Sequence, residues 1–188
     1  MRAGLVLSAA AGVCCLIAAS APQAGAVQER PPVGELRPCG SRGDSSSPQQ
    51  LPTPAGVRIG PLVIWPSVRT QVAPAGSQAI AWQFVSKAPI VLPARTRAVL
   101  AIAPEAVELA AFQSAGRSIG WISSVEFEAC REREPAFPGA YRGTVGRYTG
   151  FPFAIASTRR STCIPMEVWL DGATTPIRKT VPFGRSSC

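Results

Sequence analysis

The sequence has 188 residues and no histidine, and its 19 Lys and Arg against 11 Asp and Glu give a formal net charge of +8. The absence of histidine excludes every Ser-His-Asp and Cys-His mechanism and every histidine-containing metal site. The basic residues are scattered rather than grouped in blocks of like charge. The charge therefore predicts a weak attraction to anionic surfaces and no nucleic-acid interface.

The first 26 residues are typical of a secretory signal peptide. Met1-Arg2 gives a positive start, residues 3–19 are apolar, and Ala24-Gly25-Ala26 offers a cleavage site of small residues. Cleavage after Ala21, or retention of the run as a membrane anchor, are alternatives that the sequence leaves open. We expect a secreted or cell-surface protein with no stable membrane span after cleavage.

Four cysteines follow the signal segment, and an even number predicts two disulfides in an exported chain. They are Cys39, Cys130, Cys163 and Cys188. The sequence alone does not determine which of these cysteines are paired. We favour Cys130–Cys163, with Cys39–Cys188 joining the two ends of the chain. None of the four has C-x-x-C or zinc-site spacing, so we expect no thiolate chemistry and no bound metal.

Residues 27–55 and 56–188 differ in composition. The first stretch is rich in Pro, Ser, Gln and Gly and predicts a flexible leader. The second consists of short alternating apolar runs separated by Pro and Gly, and predicts one immunoglobulin-like antiparallel β-sandwich of about seven strands. Within it, Pro104–Ala115 fits a helix or a strand, and a single helical turn near Pro104 that leads into a strand suits the sandwich better.

Two alternating runs, Val125–Cys130 and Cys163–Leu170, indicate which side chains face the core. Strand side chains alternate between the two faces of a sheet, so every second residue shares a face. Both cysteines fall on the outer faces, so a bridge between them would form at the rim. The positions that face the core are Val125, Phe127, Ala129, Ile164, Met166, Val168 and Leu170.

The same alternation defines a candidate contact face on the outer side, made of Glu126, Glu128, Glu167, Trp169 and Arg178. An outward tryptophan can stack on a neighbouring Arg or contact a sugar or a protein partner. The other tryptophans lie within apolar runs and are predicted to be in the core: Trp65, Trp82 and Trp121.

Two other functions stay open. If Cys130 lay opposite Cys163, Glu126 would face Glu167 at about 5 Å, the spacing of a retaining glycosidase pair, whereas the simpler interpretation is two solvated glutamates. Arg159-Arg160 precedes Cys163 and would suit a trypsin-like protease, so a secreted protease inhibitor that presents a loop near Cys163 is the second alternative.

Four segments carry a resemblance to a known family: Val125–Cys130, Tyr148–Phe153, Cys163–Val168 and Val181–Cys188. They resemble an uncharacterised family of secreted actinobacterial (GC-rich Gram-positive) proteins with the pattern F-x-A-C, T-G-(W/F)-(P/A)-G-G-F, C-V-P-L-x-V and F-G-x-x-C. The resemblance implies a β-sandwich at an exported or cell-surface location, and it implies no activity or substrate. Phe153-Ala154 departs from the pattern, because the family has a glycine pair before the aromatic residue.

The sequence thus favours a secreted, monomeric, non-catalytic binding module without a cofactor. The expected partner is an anionic cell-wall polymer or another surface protein, because basic charge outside the cell favours anionic ligands. The candidate contact face and the Arg131–Arg147 loop would make the contact.

Overall fold

The computed structural model describes residues 31–41, 56–75, 81–114, 120–131 and 147–188. The predicted signal peptide, most of the predicted leader and residues 132–146 of the predicted contact loop lie outside these ranges. The described residues are mostly β-strand, which confirms the all-β prediction. Their strands are β1 (Glu35–Arg37), β2 (Val57–Ile59), β3 (Leu62–Ile64), β4 (Ala73–Pro74), β5 (Phe84–Lys87), β6 (Ile90–Pro93), β7 (Arg97–Ile102), β8 (Ala110–Gln113), β9 (Trp121–Ile122), β10 (Ser124–Glu128), β11 (Tyr148–Phe151), β12 (Ala154–Ser157), β13 (Thr162–Leu170) and β14 (Ile177–Phe183).

Short helical turns interrupt these strands. In the described residues they are the α-helical turn Ser67–Thr70 and the 3₁₀ turns Cys39–Ser41 and Pro104–Ala106. Pro104 occupies the start of its turn, where a missing N–H costs no hydrogen bond. Strand β8 follows at Ala110, so the prediction of a helical turn near Pro104 that leads into a strand is confirmed.

The described strands form three hydrogen-bonded sheets. The first has the order β1-β10-β7-β13-β14, the second β11-β6-β3-β2, and the third β4-β5-β12-β8-β9. Every pair is antiparallel except β1 and β10, which are parallel. The chain thus forms more and shorter strands than the about seven that an immunoglobulin-like sandwich contains. The immunoglobulin-like strand order itself stays a prediction.

A cluster of phenylalanines packs where the three sheets meet. The ring of Phe127 on β10 lies 5.1 Å from that of Phe151 on β11 and 5.5 Å from that of Phe153, between centroids. The Phe153 ring in turn lies 5.2 Å from Phe112 on β8. Tilted and edge-on rings at this separation add to the free energy of burial. All the positions predicted to face the core are buried or, for Leu170, packed against the core.

The two predicted disulfides are present, but the favoured pairing was wrong. The structure joins Cys39 to Cys130 and Cys163 to Cys188. Strands β10 and β13 lie on either side of β7 and are both antiparallel to it, so they run in the same direction. Cys130 follows the end of β10, whereas Cys163 lies at the start of β13. The two cysteines are therefore at opposite ends of the sheet, with β7 between their strands.

Part of the predicted leader belongs to the fold. Glu35–Arg37 forms β1, which pairs with β10 in the register Arg37 to Phe127 and brings Cys39 close to Cys130. Gly34 allows this approach, because a Cβ atom there would lie 2.8 Å from the backbone nitrogen of Glu126. The structure therefore differs from the prediction of a flexible segment over residues 31–41.

Candidate functional site

The five residues of the candidate contact face lie on the outer side of the first sheet, as the alternation predicts. They occupy three rows that run across neighbouring strands. The side chains of one row share a face because paired residues of adjacent strands point the same way. The rows are Ser124–Ala101–Glu167–Arg178, Glu126–Val99–Trp169 and Glu128–Arg97.

Glu167 is a buried carboxylate with a cation beside one oxygen and a hydrogen bond to the other. Only 4% of the residue is exposed. Its Oε1 lies 2.8 Å from Nη2 of Arg178, and its Oε2 accepts a hydrogen bond of 3.2 Å from Nε1 of Trp169. A charged carboxylate is buried at an acceptable cost only when it is paired and hydrogen-bonded. Arg178 and Trp169 provide both.

Glu126 has a comparable partner nearer to solvent. Its Oε1 accepts a hydrogen bond from Nε of Arg97. That hydrogen bond, followed by the attraction between the two charges, raises the pKa of Arg97. Arg97 and Arg178 thus each pair with one carboxylate. Even so, 50% of the Arg97 side chain and 60% of the Arg178 side chain are exposed.

Glu126 and Glu167 do not face each other, so the premise of the carboxylate hydrolase was wrong. Glu126 pairs with Val99, whereas Glu167 pairs with Ala101 two residues further along β7. Their strands are separated by β7, which places their backbones about 10 Å apart across the sheet and about 7 Å apart along it. Each carboxylate is also neutralised by its own arginine. This arrangement does not form a glycosidase pair.

The tryptophans differ from the prediction in how far they are buried. Trp169 points outward from the sheet, yet only 4% of it is exposed. Trp65, Trp82 and Trp121, which were predicted to be in the core, are only partly buried. Each of these three lies within two residues of a strand end.

Two grooves flank Trp169 on the outer face. One has a volume of about 480 Å³ and contains Glu167, Arg178 and Pro32 in its wall. The other has a volume of about 280 Å³ and contains Glu126, Arg97 and Pro31. Trp169 lines both grooves and separates them. The predicted residues Glu126, Glu167, Trp169 and Arg178 therefore line two neighbouring grooves, whereas exposed Glu128 lines neither.

A third groove of about 460 Å³ lies alongside the first, with which it shares Val107, Ser123 and Ser124. Trp82 and Trp121 line it, and the indole N–H of Trp121 is buried without a hydrogen-bond partner. Sequence reasoning missed this groove because both tryptophans lie in apolar runs. In the structure, Trp121 lies on the edge strand β9 and Trp82 precedes β5, and alternation within a run does not show either position.

In the loop of residues 158–161, Arg159 and Arg160 are exposed, but backbone groups of both residues contact other parts of the protein. The N–H of Arg159 donates to Oγ of Ser157 at 3.1 Å. The carbonyl of Arg160 packs against Gly184, where an added Cβ would lie 2.0 Å from its oxygen. A serine protease must take the scissile carbonyl into its oxyanion hole. The loop geometry thus gives the inhibitor hypothesis no support.

The described ranges contain no cluster of three or more His, Cys, Asp or Glu that could hold a metal ion. In the same part of the chain, no helix is long and apolar enough to cross a membrane. Comparison with family models, with curated proteins and with solved structures found no match. The geometry and charge of the outer face are therefore the observations on which a function can be argued.

Proposed function

We propose that this protein is an exported, non-catalytic module that binds an anionic cell-wall polymer on the outer face of its first sheet. The contact would centre on the two grooves beside Trp169. Another surface protein is the alternative partner for the same face. The two predicted disulfides are compatible with an oxidising, extracellular location.

The observation that carries this proposal is the asymmetry of exposed charge. Among the described residues, eleven basic side chains are exposed, but only four acidic ones. The other three described carboxylates are drawn into contacts: Glu35 with Ser114, Glu126 with Arg97 and Glu167 with Arg178. The exposed charges are Arg58, Lys87, Arg95, Arg97, Arg131, Arg147, Arg159, Arg160, Arg178, Lys179 and Arg185, against Glu105, Glu108, Glu128 and Asp171.

Two of these exposed cations line the grooves, where each is paired with a carboxylate, and Asp171 also lines the Arg97 groove. Arg97 lines one groove and Arg178 the other, so two half-exposed guanidinium groups flank Trp169. Their carboxylate partners hold them in place, which lowers the entropy lost when a ligand binds. A guanidinium group binds phosphate or carboxylate oxygens through several N–H donors at once. A polymer with regularly spaced anionic groups could contact both sites.

Retention on purified cell wall, measured over a series of salt concentrations, tests the proposal. The protein should bind at low salt and elute as the screening length falls, from about 30 Å at 0.01 M to about 3 Å at 1 M ionic strength. Absence of retention at low salt would contradict the proposal.

Two variants, one that keeps the net charge and one that lowers it by two, separate binding at a site from general attraction. The first variant replaces all four residues of the two ion pairs: Arg97→Gln, Glu126→Gln, Arg178→Gln and Glu167→Gln. It removes both ion pairs but leaves the net charge unchanged. The matched control, Arg159→Gln with Arg160→Gln, removes two exposed charges from a loop that lines none of these grooves. The proposal expects the first variant to lose retention and the control to keep most of it. The opposite order would indicate binding by net charge alone.

A further inference from the structure

The dipeptide Pro31-Pro32 borders the grooves on both sides of Trp169. Pro32 lines the groove on the Glu167 side of the indole, and Pro31 lines the groove on the Glu126 side. Because the two prolines are consecutive, this part of the chain lies at the boundary between the two grooves, beside Trp169. Trp169 is only 4% exposed, and its neighbours Ala101 and Glu167 on the same face are buried as well.

The chain that follows this dipeptide is firmly held. The carbonyl of Val33 accepts a hydrogen bond of 2.9 Å from Oγ of Ser124, and β1 then pairs with β10. Beyond β1, the guanidinium of Arg37 is buried and Cys39 is joined to Cys130. The segment is therefore anchored at its C-terminal side, and residues 31 and 32 extend from that anchor over the outer face.

The chemistry of Pro31 and Pro32 would allow them to cover Trp169 reversibly. A proline has no N–H, so Pro31 and Pro32 cannot donate hydrogen bonds to the sheet, and their apolar rings can cover an indole without specific polar contacts. A Pro-Pro segment is also stiff and extended, so it loses little conformational entropy when it docks. Proline-rich ligands dock on the aromatic grooves of their receptors for the same reasons.

We propose that Pro31-Pro32 is an intramolecular strap that closes the Trp169 face, and that the face binds its ligand when the strap lifts. The closed state hides Trp169 and narrows both grooves. In the open state the two grooves join into one surface with Trp169 between Arg97 and Arg178. The consequence for ligand binding rests on the proposed function, whereas the covering of Trp169 does not.

Hydroxyl-radical footprinting of the full chain, read by mass spectrometry, measures the accessibility of each tryptophan. The variant Pro31→Ser with Pro32→Ser weakens the strap, and Pro38→Ser is the matched control, because Pro38 is exposed and lines neither groove. We expect oxidation of Trp169 to rise several-fold in the double variant and to stay unchanged in the control. Oxidation of Trp65 serves as the internal reference.

A second variant, Ser124→Ala, removes the hydrogen bond to Val33 and should raise Trp169 oxidation by a smaller factor. If neither variant changes Trp169 oxidation, the strap is disproved, whatever the cell-wall assay shows. If oxidation rises and wall retention also increases, both proposals are supported. If oxidation rises but retention does not, the strap stands and wall binding at this face is rejected.

Discussion

The guanidinium carbon of Arg37 lies 5.1 Å from the centre of the Phe153 ring. From there, its Nη1 donates a hydrogen bond of 2.6 Å to the carbonyl of Pro152, and its Nη2 donates to the carbonyl of Gln113. Burial lowers the pKa of Arg37, and the charge of Glu35 partly opposes this effect. One buried cation thus ties β1 to the other two sheets.

Replacement of this arginine tests how much the N-terminal strand contributes to stability. Lysine keeps the charge but cannot reach two carbonyls in fixed directions. We expect Arg37→Lys to lower the free energy of unfolding by about 1–3 kcal/mol, the cost of a buried polar group left without a partner. Urea unfolding followed by circular dichroism measures this. The control, Arg58→Lys at the exposed central position of β2, should change stability by less than about 0.5 kcal/mol. Equal effects would contradict the role of Arg37.

The sequence predicted the faces of the strands but not the order of the strands. Alternation is a local property, so the inward side of Val125–Cys130 and the outer position of Trp169 followed directly from it. The disulfide pairing depends on which strands are neighbours, and nothing local indicates that β7 lies between β10 and β13. The role of Arg37 was missed for a related reason. The stretch around it is rich in Pro and Ser, and this composition does not indicate that Glu35–Arg37 pairs with a sheet.

The disulfide connectivity can be checked directly. Peptide mapping of the non-reduced protein should recover Cys39 linked to Cys130 and Cys163 linked to Cys188. The sequence separations are 91 and 25 residues. The loop-entropy relation then predicts a loss of about 4–5 kcal/mol for Cys39→Ser with Cys130→Ser, and about 3–4 kcal/mol for Cys163→Ser with Cys188→Ser. A peptide containing Cys130 linked to Cys163 would contradict the fold of the first sheet.

The ion pair at Glu167 should matter for stability as well as for binding. Arg178→Ala leaves a buried carboxylate without its cation, and we expect a loss of about 1–3 kcal/mol in the free energy of unfolding. Lys179→Ala, at the exposed neighbouring position, should cost less than about 0.5 kcal/mol. Addition of Glu167→Gln to Arg178→Ala should restore part of the loss, because the uncompensated charge is then gone. Thermal unfolding of the four proteins, wild type included, would show no such recovery if Glu167 were solvated.

Two glycines with similar backbone angles provide the last test, since their surroundings differ. Gly172 has φ of +73° and open space where a Cβ would lie, whereas Gly184 has φ of +64° and would place a Cβ against the carbonyl oxygen of Arg160. Gly172→Ala should cost only the left-handed backbone penalty of about 1–2 kcal/mol. Gly184→Ala adds a clash worth about 1–3 kcal/mol and should displace the 158–161 loop. Faster trypsin cleavage in that loop, measured beside urea unfolding, would report the displacement. Equal stability of the two variants would show that the Arg160 carbonyl does not pack on Gly184.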